Sequence, residues 1–171
     1  MQGLDCCRVI YAGTASKALA PGLRLGWLAV PESLSGPLAR AKLAADYGSG
    51  ALDQLVLADF IALGELDRHL RRMRRLYLAR RNALLDGLAR RLPELEPMGA
   101  SAGLHVLAHL PPDADELALV RRAAEVGVGL SGAAETYTTA ARAGLVFGYA
   151  AVREHEVEPA LDLVTECLAS A

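Results

Sequence analysis

The sequence predicts an α/β chain in which helices cover sheet, and three observations predict it. Short β-rich runs alternate with longer segments whose apolar residues recur every three or four positions. Gly and Pro fall between those segments, where turns are needed. Apolar residues make up 53% of the 171, enough to build the core of one domain or slightly more.

Taken in order, "RVIYAG" (Arg8 to Gly13) and "RLGWLAV" (Arg24 to Val30) read as strands, the second closed by Pro31. They look like interior strands of a larger, mostly parallel sheet, which leaves unpaired edges and apolar faces on this chain. "PESLSGPLARAKLAADY" reads as a helix start interrupted at Gly36 and Pro37, and "ALDQLVLADFIALG" as a second helix ended by Gly64. From Glu65 to Leu92, apolar Leu66, Leu70, Met73, Tyr77, Leu84 and Leu88 recur at helical spacing, so one face of a long helix is buried. At ~1.5 Å per residue it is about 40 Å long, enough to brace two parts of a domain. Pro93 and Pro97 then break the chain. "AGLHVLAHL" (Ala102 to Leu110) reads as a strand, and "DADELALVRRAAEVG" as a helix capped by Asp113 or Asp115 and ended by Gly127. "VGLS" and "AGLVFGYA" read as strands, and "REHEVEPALDLVTECLAS" as a closing helix. No repeat or low-complexity tract interrupts this order.

The charge pattern excludes some functions. A net charge of −2 argues against attraction of the whole protein to nucleic acid, while leaving room for a local basic patch. Cys6, Cys7 and Cys167 form neither an even disulfide framework nor a metal spacing, which fits a reducing, cytoplasmic setting. No apolar run reaches the ~20 residues that span a bilayer, and the start lacks a basic segment followed by an apolar one, so neither export nor membrane insertion is expected.

Lysine use is the first chemical signal. Of the 18 basic residues only Lys17 and Lys42 are lysines. Arginine stays protonated, whereas a desolvated lysine can lose its proton and form a Schiff base. Lys17 follows small hydroxyl residues and precedes an arginine in a Gly/Pro loop, "YAGTASKALAPGLRLGW". A solvated surface lysine at a strand end is the alternative. The long helix carries Arg68, Arg71, Arg72, Arg74, Arg75, Arg80 and Arg81, readable either as a nucleic-acid stripe or as a solvated face paired with acidic neighbours. His69, His105, His109 and His155 are scattered. His105 and His109 share a strand face about 13 Å apart, too far for one metal, so no metal site is expected. "GLSGAAET" lacks the phosphate-loop order, and at Lys17 the Ser-x-x-Lys pattern of acyl-serine enzymes has Thr14 in the serine position.

"GTASKALAPGLRLGW" resembles the cofactor-lysine segment of fold-type I pyridoxal-phosphate enzymes, the class I/II aminotransferases. "LVLADFIALGELDRHLRRMRRLYLARRNALL" and "GLVFGYAAV" look like the aminotransferase-like domain of MocR-type regulators of the GntR family. The resemblance runs from Arg8 to Leu168. It implies that Lys17 holds pyridoxal 5'-phosphate as a Schiff base, that Thr14 and Arg24 bind the cofactor phosphate, and that Ser16 is placed to touch the phosphate or the lysine nitrogen. The residue types suit this chemistry on their own account: a dianionic phosphate calls for a planar fork donor and a hydroxyl, and Pro21 and Gly22 allow a sharp turn. The fold implied is the C-terminal part of a fold-type I transferase: the end of the large-domain sheet over 1–64, a long connecting helix over 65–92 and an α+β small domain over 93–171.

Two departures matter. The family's glycine-rich phosphate turn, ring-stacking aromatic and ring-nitrogen aspartate lie before the lysine, and only a short stretch precedes it here. The family's substrate-carboxylate arginine, one strand position into "GLVFGYA", falls on Val146; the nearest alternative is Arg142, which is equally readable as a solvated loop residue. The resemblance implies a regulator domain that senses an amino acid or amine ligand through pyridoxal phosphate, in a parent that is a homodimer and meets DNA through an absent N-terminal winged helix. A stand-alone aminotransferase moving an amino group to a 2-oxo acid is the alternative parent. A truncated product without activity of its own is a third reading.

Overall fold

The computed structural model describes residue 5 and residues 7–99, 103–137 and 142–169, without the side chain of Glu135. Cys6, Ala102, Ser170 and residues 138–141 of the segment before Arg142 lie outside the described residues. The chain divides into two compact units, Met1–Arg71 and Arg72–Ala171.

The first unit opens with a hairpin of β1 (Tyr11–Thr14) and β2 (Gly26–Ala29). Tyr11 faces Ala29 and Thr14 faces Gly26 in antiparallel register. The sequence predicts that both strands belong to a larger, mostly parallel sheet; within this chain they pair with each other in the antiparallel sense. The reason is the connection: residues 15–25 contain no crossover helix, and a short return fixes the antiparallel sense. Gly13 lies under the Trp27 ring, where a Cβ would collide with the indole.

Two helices follow, α1 (Glu32–Asp46) and α2 (Ala51–Ala62). The expected interruption at Gly36 and Pro37 does not occur, since α1 runs through Pro37. Two facts make this tolerable. Gly36 has no Cβ to clash with the following pyrrolidine ring, and Pro37 sits early enough that its missing N–H removes a bond only to Ser33 near the helix start. Neither helix contains a buried residue. Leu52, Leu55, Val56 and Ile61 of α2 are all exposed, and Ala15 and Pro31 are the buried positions among the described residues of this unit. The hairpin and α2 therefore lack the apolar partners that normally hold such elements.

α3 (Glu65–Arg91) is one continuous helix, close to the predicted span. Gly64 (φ 71°) sets its start. In the second unit its C-terminal half packs Leu84 and Leu88 into the core, and a Cβ on Gly87 would stand 2.6 Å from Leu161 Cδ1. That glycine sets the close approach of α3 to α5 (Glu154–Ala169).

A four-stranded antiparallel sheet in the order β3-β4-β6-β5 forms the other layer. Its strands are β3 (Glu96–Met98), β4 (His105–His109), β5 (Ser131–Gly132) and β6 (Gly144–Gly148). β3 departs from the sequence expectation, in which Pro97 is a breaker. It pairs with Ala108 on the outer strand, the kind of position where a proline costs no ladder bond. β4 and β6 alternate as half-buried strands should: Val106 faces Phe147 and Ala108 faces Leu145, all four buried. Helix α4 (Glu116–Glu125) starts at Asp115, whose carboxylate accepts the Ala118 N–H at 3.0 Å, settling the choice between Asp113 and Asp115. Glu158 of α5 pairs with Arg90 and Arg91 of α3, and hydrogen bonding to Arg90 and then Arg91 holds its carboxyl below the usual range.

Candidate functional site

The lysine turn is held by backbone bonds and by the Thr14 hydroxyl. Ala15 N–H donates to the Leu25 carbonyl at 2.9 Å, extending the hairpin by one rung, and Leu19 N–H donates to Ala15 at 2.8 Å to close a helical turn around Lys17. Ala15 is 3% exposed and anchors this turn. The Thr14 hydroxyl lies 3.1 Å from the Leu25 carbonyl and 3.1 Å from the Ser16 hydroxyl, and it accepts the Ser16 N–H at 3.1 Å. The structure thus brings Thr14 and Ser16 together as a hydroxyl pair immediately before Lys17.

Arg24 ends a single 3-10 turn, Pro21–Leu23, in the left-handed region (φ 51°, ψ 26°). A non-glycine residue there costs about 1 to 2 kcal/mol, and such strain concentrates at functional sites. Lys17 and Arg24 are exposed, and no ion pair or hydrogen bond engages either side chain among the described residues. Lys42 differs: its ammonium pairs with Asp46 and donates to Ser49 at 2.7 Å. The hydrogen bond from Lys42 to Asp46 is also the main cause that holds the Asp46 carboxyl low. Of the two lysines, Lys17 is the uncommitted one.

One residue of this region escaped the sequence reading. His69 Nε2 lies 2.9 Å from the Ala18 carbonyl, so the ring donates to the peptide next to Lys17 and ties the first turns of α3 to the lysine turn. A lone histidine among arginines carries no spacing signal, and only the fold shows its partner.

In the second unit, Arg142 Nη2 pairs with Glu96 of β3 at 2.9 Å, both side chains more than half exposed. Val146, half-buried, faces Leu107 and Ser131 across the sheet. Glu116 of α4 accepts the Gly144 N–H at 2.7 Å and the Ala134 N–H at 3.1 Å, fixing the backbone two residues beyond Arg142. His105 is exposed, while His109 is buried with Nδ1 lacking a partner among the described residues.

The first unit carries an amine and two hydroxyls on the lysine turn and a guanidinium at the end of the following 3-10 turn, donor types that suit an aldehyde bearing a phosphate. The fold places this turn in a known class, since the chain superposes on fold-type I aminotransferases. One is LysN, an α-aminoadipate aminotransferase from Thermus thermophilus crystallised with N-(5'-phosphopyridoxyl)-L-leucine. That match has a TM-score of 0.85 and 28% identity, covering 95% of this chain and 42% of that one. The chain belongs to the class I and II aminotransferase family, whose profile matches residues 1–162.

Among curated relatives it is 36% identical over 160 residues to the HTH-type transcriptional regulator YhdI of Bacillus subtilis strain 168, covering 92% of this chain and 34% of that protein. It is 35% identical over 155 residues to the probable rhizopine catabolism regulatory protein MocR of Rhizobium meliloti, covering 89% of this chain and 31% of that protein. The chain spans about a third of the length of these relatives. Among the described residues no helix is long and apolar enough to cross a membrane.

Proposed function

We infer that the chain is the lysine-bearing and small-domain part of a MocR-type regulator, and that Lys17 holds pyridoxal 5'-phosphate covalently there. The observation that carries this reading is the contrast between the two lysines: among the described residues no ion pair or hydrogen bond engages Lys17, on a turn that also carries Thr14 and Ser16, while Lys42 is held by Asp46 and Ser49. The cofactor supplies an aldehyde that condenses with a neutral amine. Arg24 offers a planar fork and Thr14 a hydroxyl to its phosphate. His69 holds the Ala18 peptide, and with it the backbone beside the amine.

An amino acid or amine is the proposed ligand. Arg142 would take a ligand carboxylate only by giving up Glu96, and an exposed pair of this kind is worth at most about 1 kcal/mol, so the exchange is feasible. The stand-alone aminotransferase remains a second reading because of the likeness to LysN. One experiment separates them in the longer parent loaded with cofactor. The regulator reading expects amino acids to change the cofactor's visible absorption while no more than one equivalent of 2-oxo acid forms per cofactor. Continued 2-oxo acid release would favour the enzyme. Arg142→Gln is expected to leave cofactor absorption intact and weaken the amino-acid response by about 2 kcal/mol; an unchanged response removes Arg142 from the site.

A further inference from the structure

α3 has two faces, and the one turned away from the core is a set of uncommitted arginines. At about 100° per residue, Leu66, Met73, Tyr77 and Leu84 lie on one side of the helix, and Arg71 and Arg75 on the opposite side with Arg72 and Arg74 flanking them. All four arginines are exposed. Their spacing alone is compatible with neutralisation by acidic neighbours, and the structure separates the cases. Arg68 pairs with Glu65, Arg80 donates to the Ala150 carbonyl, and Arg90 and Arg91 pair with Glu158. No ion pair or hydrogen bond engages Arg71, Arg72, Arg74 or Arg75 among the described residues, although Asp67 and Asp86 lie on the same helix. The patch is a local reversal of sign on a chain whose net charge is −2.

We propose that the Arg71, Arg72, Arg74 and Arg75 face of α3 binds the phosphate backbone of double-stranded DNA. The chemistry of the face selects this partner. Guanidinium forks match phosphate oxygens with two parallel bonds and are weakly hydrated, so they give up water readily. The four lie within about 6 Å along the helix axis, and duplex DNA offers one phosphate charge per about 1.7 Å of its own axis, enough to meet all four. No aromatic side chain shares the face, since Tyr77 points to the core side. A surface without stacking residues suits a paired duplex better than single strands, whose bases need aromatic platforms. Nor does it suit a bilayer, because a membrane-lying helix turns its apolar face outward and α3 buries its own. The face would position DNA without reading its sequence. The choice of DNA over another duplex rests on the regulator reading; the phosphate chemistry does not.

Fluorescence anisotropy of a labelled duplex of arbitrary sequence, titrated with the 171-residue chain at several salt concentrations, tests this without cofactor. Four contacts at about 0.9 each give a slope of log K against log salt near −3.6, a loss of about 150-fold from about 50 to about 200 mM salt. Arg71→Gln, Arg72→Gln, Arg74→Gln and Arg75→Gln together keep helix-forming side chains and are expected to bring the slope to within about 1 of zero. The four-lysine variant is expected to keep the slope while binding a few-fold more weakly. Arg90→Gln with Arg91→Gln, whose partners are Glu158 and Asp162, is expected to change nothing. Circular dichroism and sedimentation matched to the wild type guard against unfolding. Binding unchanged in the glutamine variant overturns the proposal, as does equal or tighter binding to phosphatidylserine vesicles or polyglutamate at the same charge concentration. Because no step involves Lys17, failure here leaves the cofactor reading untouched, and the converse holds.

Discussion

Leu145→Ala is expected to destabilise the second unit by about 2 to 5 kcal/mol, whereas Leu55→Ala on α2 is expected to cost the isolated chain less than about 0.5 kcal/mol. Both remove the same atoms from a leucine, so the difference isolates environment. Leu145 is 0% exposed, paired with Ala108 in the middle of the sheet and packed in one cluster with Leu88, Leu119 and Leu161. Truncation there loses the transfer energy of the side chain and opens a cavity that a strand paired on both sides cannot close. Leu55 is 63% exposed and has little to lose. Urea unfolding followed by circular dichroism reads the first effect as a lower midpoint at constant slope. The same exposed residues of α2, with Trp27 and Leu28 of the hairpin, make the isolated chain prone to self-association, so these measurements belong at low concentration with sedimentation as a check. Equal costs for the two leucines would contradict the picture of one unit with its own core and another without one.

In the longer parent, Arg24→Gln is expected to weaken pyridoxal phosphate by about 10- to 150-fold, the range given by about 1.5 to 3 kcal/mol for a hydrogen bond to a charged group. The reason lies in the turn as well as in the charge. Arg24 occupies a left-handed conformation that disfavours a side chain, and its guanidinium has no competing partner among the described residues. Glutamine retains the backbone problem and an amide NH2 donor but loses the charge and the guanidinium fork. Arg24→Gly would relieve the backbone and lose the same contact, so its affinity should match that of glutamine while its melting temperature rises. Equilibrium titration of the cofactor's absorption gives the affinities. An Arg24→Gln protein that binds as tightly as the wild type would remove Arg24 from the phosphate site.

Much of the fold is legible in the sequence where local chemistry decides structure. The periodic apolar residues of α3, the Gly64 that ends the helix before it, the acidic cap of α4 and the alternating β4 and β6 are local signals, and the structure follows them closely. The misses share a cause. Pro37 inside α1 and Pro97 inside β3 read as breakers because a proline's cost depends on which neighbour would have received its bond, and that is decided by position in the helix or sheet. Strand direction is hidden because apolar content marks burial, and only the connection between strands fixes their sense. The Thr14, Ser16 and Lys17 cluster is legible through the family resemblance of the segment that holds it, since spacing alone leaves Lys17 equally readable as a surface lysine. The hydrogen bond from His69 to Ala18, the pairing of Arg142 with Glu96 and the commitment of Lys42 to Asp46 involve no motif, and emerge only when the elements are placed in space.

The central claim is that Lys17 is the residue that captures the cofactor. Incubating the longer parent with pyridoxal phosphate, reducing with borohydride and mapping the fixed label by peptide mass spectrometry tests it most directly. The free amine of Lys17 predicts label on the peptide that spans Thr14 to Arg24, and none after Lys17→Ala. Label on Lys42, whose ammonium is held by Asp46 and Ser49, or capture that persists in the Lys17→Ala protein, would contradict it.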